Sequence, residues 1–167
     1  MISELKQIII RGYQSEDLDW VIDRHSDLYR AEHGFDDTFR AYVAEPVRQF
    51  GESMNPEKEN LWIAESQGRR IGMIAIVRVS ETTAQLRWFL LEPGMRGFGI
   101  GNMLIKTAVD FCMIAGYRHV FLWTVSSMAA ARRLYQSYNF KITESAEHSL
   151  WGQVQIEERW DLDFDVG

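Results

Sequence analysis

Cysteine is nearly absent from this sequence of 167 residues, in which Cys112 stands alone. A single cysteine cannot form an intramolecular disulfide, which favours a reduced, cytoplasmic setting over a cross-linked secreted one. Cys112 and the 4 histidines lack the spacing of metal ligands, so we expect no metal. No apolar run approaches the roughly 18 residues that span a bilayer, and no leader pattern is present. We therefore expect neither an integral membrane protein nor a classically exported one.

Basic residues are also in short supply. Lysine and arginine number 18 against 24 acidic residues, which gives a formal net charge of -6. This balance argues against non-specific nucleic-acid binding and mildly favours cationic partners. Apolar residues make up 46% and charged residues 25%, the composition of a globular chain with a hydrophobic core. Because neither repeats nor linkers interrupt the chain, we expect one domain over residues 1–167.

Hydrophobic periodicity predicts an α/β fold. Helical spacing predicts a first helix that begins after an N-cap at Ser15, and further helices over about 38–50, 99–115 and 129–138. Short β-branched and aromatic runs predict strands over 8–11, 61–65, 71–79, 85–91, 119–125, 141–145 and 154–162. Tight turns join the three strands between 61 and 91, which predicts an antiparallel meander. The expected result is a mixed sheet with helices on both faces.

A glycine-rich segment, EPGMRGFGIG at residues 92–101, connects a predicted strand to a predicted helix. Glycines allow a close backbone approach and positive φ, and a helix N-terminus attracts anions, so the segment fits a pyrophosphate. Arg96 adds a planar cation. A P-loop is excluded because Asn102, and not Lys, follows Gly101; the dinucleotide pattern fails because its third glycine is replaced by Asn102 or Leu104. Of these three ligands coenzyme A remains, and a glycine turn before a helix, with no ligand, explains the segment equally well.

The pattern Arg96-x-x-Gly99-x-Gly101 after a strand resembles the acyl-CoA-binding motif of the GNAT superfamily of N-acetyltransferases. The later stretch ARRLYQSYNF, residues 131–140, resembles a helix of the same family. Both stretches are also similar to acetyltransferase domains fused to MarR-type regulators in bacteria. The resemblance implies a GNAT fold with about seven mostly antiparallel strands and about four helices. It also implies acetyl-CoA as co-substrate.

The resemblance further implies which residues contact acetyl-CoA. A backbone N–H of the strand before the loop would polarise the thioester carbonyl, and that strand commonly carries a bulge. Met128 replaces an asparagine that often contacts the pantetheine, so we expect backbone groups, Ser126 or Ser127 to substitute. Asn139 replaces the usual glycine at the helix end. The expected cofactor-binding residues are Phe89, Leu90, Leu91, Arg96, Gly97, Phe98, Gly99, Ile100, Gly101, Asn102, Ser127, Ala131 and Tyr135.

Acyl transfer from a thioester to an amine requires a neutral amine, a polarised carbonyl and a proton for the departing thiolate. By the resemblance, Tyr135 is the general acid, since a tyrosine pKa of about 10 keeps the hydroxyl protonated at neutral pH. Without the motif, a core tyrosine on an amphipathic helix would be the favoured interpretation. Glu92 and Glu32 are candidate general bases. His33, and His148 in the loop expected before the last strand, are alternatives to them. Exposed or capping roles explain the same four residues.

Several other side chains have both a functional and a structural interpretation. Arg87 could hold an acceptor carboxylate or form a cross-strand ion pair. Arg132 and Arg133 could meet the adenosine phosphates or lie on an exposed helix face. Tryptophans are usually core residues, but three of them could line an apolar acceptor cleft: Trp88, Trp123 and Trp151.

The function expected from the resemblance is transfer of an acetyl group to a small amine, such as an amino acid or a polyamine. One alternative is a CoA-binding sensor or partner module with little turnover, which the resemblance to regulator-fused domains motivates. A second alternative is a protein N-acetyltransferase. We expect no nucleic-acid or membrane partner, and a homodimer is left open.

Overall fold

The computed structural model describes residues 7–164. Within this part of the chain, seven strands join one sheet and four α-helices accompany it, which confirms the predicted GNAT-like mixed fold. The strands are β1 (Ile9–Gly12), β2 (Asn60–Ser66), β3 (Arg69–Arg78), β4 (Thr83–Leu91), β5 (His119–Val125), β6 (Lys141–Leu150) and β7 (Gln153–Asp163). The helices are α1 (Asp17–His33), α2 (Asp37–Ser53), α3 (Ile100–Ile114) and α4 (Ala129–Ser137).

The described residues divide into two compact units, which we treat separately. Unit 1 contains residues 7–13, 55–120 and 164, and therefore β1 to β4 and α3. Unit 2 contains Gln14–Met54 and Phe121–Asp163, and therefore α1, α2, α4, β6, β7 and most of β5. Each unit carries some of the residues that the sequence singles out.

Unit 1 is built on the predicted antiparallel meander. Its strands run in the order β1-β2-β3-β4, and each neighbouring pair is antiparallel. Helix α3 packs on β3 and β4 with an apolar face, formed by buried residues that recur at helical spacing. Cys112 lies on that face and is fully buried. After α3 the chain turns at Gly116, whose φ of 85° is left-handed.

Unit 2 combines the strand order β5-β7-β6 with the contacting helices α1 and α2. The turn between β6 and β7 contains Trp151, with a φ of 54°. Its indole packs on Phe35 and Phe39, with ring centroids 4.9 Å away in both cases. The Asp36 N–H donates to the Trp151 carbonyl at 3.0 Å. Aromatic packing and this hydrogen bond attach the turn to the connection between α1 and α2.

Three local predictions were wrong. Ser15 is not the N-cap of α1: Glu16 holds that position without a side-chain cap, and the Asp17 carboxylate accepts from the Gln14 N–H instead.

Strand β6 continues to Leu150, so His148 lies in a strand, paired with Gln155, and not in a loop. The prediction stopped at residue 145 because the three consecutive polar residues Glu147, His148 and Ser149 break any alternation of apolar and polar positions.

The polarity pattern of β7 also differs from its burial. Val154 and Ile156 are 66% and 47% exposed, while Gln155 and Glu158 are buried. The side of β7 that is buried therefore changes between Gln155 and Glu158. As a result, the Glu158 carboxylate lies in the interior of unit 2, although the sequence suggests a simple alternation of apolar and polar residues.

Among residues 7–164, no helix is both long enough and apolar enough to cross a membrane.

Candidate functional site

The last part of β4 carries the expected bulge. Ala75 pairs with Arg87 and Met73 pairs with Leu90, so Trp88 and Phe89 lie opposite a single residue of β3. Trp88 has a φ of 52°, in the left-handed region that a glycine usually occupies at this kind of bulge. For a bulky residue this conformation costs on the order of 1–3 kcal/mol. The surrounding core holds it in place, because Trp88 is only 8% exposed.

The bulge matters chemically because it redirects backbone groups just before the glycine loop. Leu90 is buried, whereas Phe89 and Leu91 are partly exposed. The N–H groups of these three residues are the candidates for polarising a carbonyl. A short 3₁₀ turn, Pro93–Met95, follows the strand, and the buried Met95 side chain anchors it.

The backbone of the glycine loop has the conformation that only glycine adopts without strain. Gly97 and Gly99 have φ values of 84° and 83°, respectively. A Cβ atom placed on either residue would meet no atom within 4 Å apart from those of the adjoining residues. Space therefore lies open above both residues, and their glycines are required for conformation and not for packing. This open backbone suits the approach of a pyrophosphate.

The electrostatics of the loop suit an anion. Gly99 is the N-cap of α3, and the first i to i−4 bond runs from the Met103 N–H to the Gly99 carbonyl at 3.1 Å. The N–H groups of the first turn point out of the helix end, which carries a partial positive charge. Within the described residues of that turn, Ile100 to Met103, no side chain is acidic. Arg96 is exposed beside the glycines, and its Nε donates to the Leu91 carbonyl at 3.3 Å.

The other predicted cofactor contacts lie in unit 2, where β5 turns into α4. The Ser126 N–H donates to the Ile156 carbonyl at 2.9 Å, which ties the start of the turn to β7. Met128 is the N-cap of α4, and its sulfur accepts a 3.6 Å hydrogen bond from the Thr124 hydroxyl. Ser127 is exposed on this turn and Ala131 is half-buried in the first turn of α4. Phe98, Gly101 and Asn102, by contrast, belong to the loop and helix start of unit 1.

Tyr135 lies near the end of α4 and is 5% exposed. Its ring is 5.9 Å from that of Phe140 and 6.0 Å from that of Trp160, measured between centroids. Burial, with a smaller contribution from Tyr29, raises the pKa of Tyr135 above its ordinary value of 10. The hydroxyl therefore stays protonated throughout the physiological pH range and can act only as a proton donor there.

One partly buried ion pair was not predicted. The Arg132 guanidinium donates to both carboxylate oxygens of Glu158, at 2.9 and 3.1 Å, so a specific partner holds it on the helix face. The Trp160 indole N–H donates to the same carboxylate at 3.2 Å. The only sign of Glu158 in the sequence is that it is a charged residue at one of the alternate positions of β7 that are otherwise apolar.

The candidate bases lie in different surroundings. Glu92, in unit 1, directly follows β4 and is half-buried. Its N–H donates to the Ile71 carbonyl and its carbonyl accepts from the Met95 N–H, so its backbone is structural. Glu32, in unit 2, is exposed in the last turn of α1. His33 packs its ring against those of Tyr29 and Phe35. His148 pairs with Glu157 at 3.4 Å across the β6–β7 ribbon.

The other candidate side chains, an arginine and three tryptophans, lie in different surroundings. Arg87 faces Ala75 of β3, so β3 offers it no directly opposite charge, and its guanidinium lies 5.2 Å from the Trp88 ring. Trp88 is a core residue, Trp123 is 38% exposed on β5, and Trp151 belongs to the aromatic cluster of unit 2. In the described part of the chain, no group of three or more His, Cys, Asp or Glu is arranged to hold a metal ion.

A bulged strand that leads into a glycine loop and a helix N-terminus, within a seven-stranded mixed sheet, is the arrangement of an α/β acyltransferase fold. The chain belongs to the acetyltransferase (GNAT) family, whose model matches residues 19–140.

Solved structures show the same fold at low sequence identity. The yncA protein of Salmonella typhimurium, solved with its cofactor acetyl-CoA, superposes with a TM-score of 0.77 at 16% identity, over 96% of this chain and 95% of that one. A spermidine N-acetyltransferase from Vibrio cholerae, in complex with CoA and spermine, gives a TM-score of 0.70 at 17% identity, over 95% and 96% of the two chains.

Curated relatives are more similar in sequence over shorter stretches. N-acetylaspartate synthetase from Danio rerio is 31% identical over 104 residues, which cover 61% of this chain and 37% of that protein. An uncharacterised N-acetyltransferase of Schizosaccharomyces pombe is 28% identical over 125 residues, 72% of this chain and 75% of that protein. Against three of the relatives, the match spans only 37% to 43% of their length.

Proposed function

We propose that this chain is an N-acetyltransferase, which moves an acetyl group from acetyl-CoA to the primary amine of a small molecule. The observation that carries the proposal is the loop of residues 92–101. Two glycines with positive φ, an adjacent arginine and a helix N-terminus form an anion-binding backbone directly after a bulged strand. Membership of the acetyltransferase (GNAT) family supports the same function.

The proposed reaction is direct transfer. The loop backbone and Arg96 hold the pyrophosphate of acetyl-CoA, and an N–H among Phe89, Leu90 and Leu91 polarises the thioester carbonyl. The neutral amine attacks the carbonyl carbon, so that a C–N bond forms, and the C–S bond then breaks. The departing thiolate takes its proton from the Tyr135 hydroxyl. The proton lost by the amine passes to a base or to water and from there restores the Tyr135 hydroxyl, so that the net products are the amide and CoA as a free thiol.

Glu32 and Glu92 are the proposed bases. An alkyl ammonium with a pKa of about 10.4 must lose a proton before it can attack, and a carboxylate can accept that proton directly or through a water molecule. His33 and His148 are the alternatives. We propose no metal, because the chemistry of direct transfer is supplied by these side chains and the backbone.

The acceptor class is proposed from the relatives. The Vibrio cholerae enzyme is named for spermidine, and the Danio rerio enzyme for N-acetylaspartate. A polyamine and an amino acid are therefore the first acceptors to test. The exposed edge of the aromatic cluster in unit 2, which includes Trp151, supports an acceptor with an apolar portion.

Two other functions are kept as alternatives. A CoA-binding sensor is supported by the resemblance to regulator-fused domains and by Met128 in place of an asparagine. A protein N-acetyltransferase would use the same cofactor loop with a peptide amine. We also propose a cytoplasmic location, from the single cysteine. Sedimentation would distinguish a monomer from a homodimer, which the sequence leaves open.

The proposed acid is tested by Tyr135→Phe, which removes one hydroxyl from a buried ring. We expect turnover, followed as amine-dependent CoA release, to fall roughly ten- to a thousandfold, as for other losses of acid catalysis. Acetyl-CoA affinity should change little, because the ring remains.

The matched control is Tyr138→Phe, three residues further along and outside the proposed site. It should retain the turnover of the unmodified protein. Equal activity of the Tyr135→Phe and Tyr138→Phe proteins would show that Tyr135 is structural. Tight acetyl-CoA binding without CoA release, across both small amines and peptides, would support the sensor function instead.

A further inference from the structure

Glu158 is a carboxylate in the interior of unit 2. Glu158 is 5% exposed. Burying a carboxylate is strongly unfavourable unless opposite charges and hydrogen bonds offset the loss of solvation. Three donors do so here: two N–H groups of Arg132, at 2.9 and 3.1 Å, and the indole N–H of Trp160 at 3.2 Å. A two-point bond between guanidinium and carboxylate fixes orientation as well as distance.

These contacts argue against Glu158 as the base of the reaction. Both carboxylate oxygens accept hydrogen bonds from Arg132, a side chain that does not lose its proton in proteins. With both oxygens occupied by these donors, the carboxylate is poorly placed to take up a proton from an amine. The role of Glu158 therefore lies in the side chains that it holds in place.

Glu158 holds two immediate neighbours of Tyr135. Arg132 precedes Tyr135 by three positions in α4, so the two side chains share a face of the helix. Trp160 follows Glu158 by two positions in β7, so these two share a face of the strand. The Trp160 ring lies 6.0 Å from the Tyr135 ring, and the Arg132 guanidinium lies 5.8 Å from the Trp160 ring.

We propose that Glu158 is a positioning residue for Tyr135: by anchoring Arg132 on α4 and Trp160 on β7, it fixes where the Tyr135 hydroxyl lies. This inference rests on the proposed function, in which that hydroxyl protonates the departing thiolate. An apolar residue could fill the same space and leave the unit as stable. What an apolar residue would not supply is the directional link between the helix and the strand.

The test is a double-mutant cycle on turnover. Glu158→Gln keeps the size of the side chain but removes its charge and one of its acceptor oxygens. We expect kcat to fall about tenfold, since small displacements of a reacting group are costly. The KM for acetyl-CoA should stay within about twofold, because Glu158 does not bind the cofactor. In a Tyr135→Phe background the same change should alter kcat by less than about twofold, because no hydroxyl is left to position.

Glu147→Gln is the matched control. It makes the same chemical change on β6 at an exposed residue that lies opposite Ile156, and it should leave kcat unchanged in both backgrounds. If Glu158→Gln does not fold, Arg132→Lys replaces it, since a lysine retains the charge but cannot form the two-point bond. Thermal unfolding of each variant checks the fold.

The outcomes separate the inference from the function on which it rests. An equal fall in kcat with and without the Tyr135→Phe substitution would show that Glu158 only stabilises the unit, and would overturn the inference while the acid role stands. Unchanged kcat in Glu158→Gln would overturn it too. Full activity of Tyr135→Phe alone would overturn the acid role, and the positioning role with it.

Discussion

Two side chains of unit 2, His25 and Tyr135, show how burial changes acid–base behaviour in opposite directions. His25 is 3% exposed in α1, and its Nδ1–H donates to the Val21 carbonyl at 2.8 Å. Burial lowers the pKa of His25 to about 4, because the charged imidazolium is poorly solvated there. For Tyr135 burial raises the pKa, because its charged form is the deprotonated one. Both groups are therefore neutral at pH 7.

His25 makes folding stability depend on pH. Its folded pKa lies below the unfolded value of 6.5, so the unfolded chain binds the proton first as the pH falls. The contribution of neutral His25 is complete above about pH 6.5 and is lost toward pH 4. We expect the free energy of unfolding, measured with urea, to fall by about 2 kcal/mol through this group between about pH 8 and pH 5.

The corresponding control is His25→Gln, which keeps an N–H donor but cannot titrate. The difference between the two proteins isolates His25 from the carboxylates that also titrate in this range. Parallel pH profiles for the two proteins would mean that His25 is not buried in the neutral form.

At the scale of elements, the glycine loop is tested by Gly99→Val. The φ of 83° at Gly99 costs a residue with a Cβ atom about 1–2 kcal/mol, and the added side chain would occupy the open space above the loop. We expect a modest loss of unfolding free energy and loss of acetyl-CoA binding, measured by calorimetry.

Gly68→Val is a closely matched control in the same unit. Gly68 has a φ of 75°, its Cβ position is equally open, and it lies in the turn between β2 and β3, far along the chain from the loop. It should lose a similar amount of stability and still bind acetyl-CoA. If both variants bind equally well, the loop has been misassigned.

The elements also show what sequence reasoning can reach. The meander, α3 and the loop were predictable because turn residues and apolar periodicity agree there. The expectation of a bulge came from family resemblance, and its position did not: Trp88 at a φ of 52° carries no local signal, since glycine is the usual residue in this conformation. The far half of β6 was missed because no face of it is buried. The link between Arg132 and Glu158 joins residues 26 positions apart, which no local pattern reveals.

At the scale of the whole molecule, fold and family agree while the acceptor stays a proposal. The fold matches solved acetyltransferases over nearly the whole chain, yet several curated relatives are matched over only 37% to 43% of their length. One fold carries many substrates in such families, so the acceptor must be found by experiment. The proposed reaction, and with it the roles of Tyr135 and Glu158, requires acetyl-CoA to be the ligand of the glycine loop.

Calorimetric titration of the folded chain with acetyl-CoA, with NAD and ATP as comparators, tests that claim most directly. We predict saturable binding of acetyl-CoA with a Kd on the order of micromolar, and no binding of the other two nucleotides. No heat of binding with acetyl-CoA, or equal affinity for all three ligands, would contradict the cofactor assignment and the proposed enzyme with it.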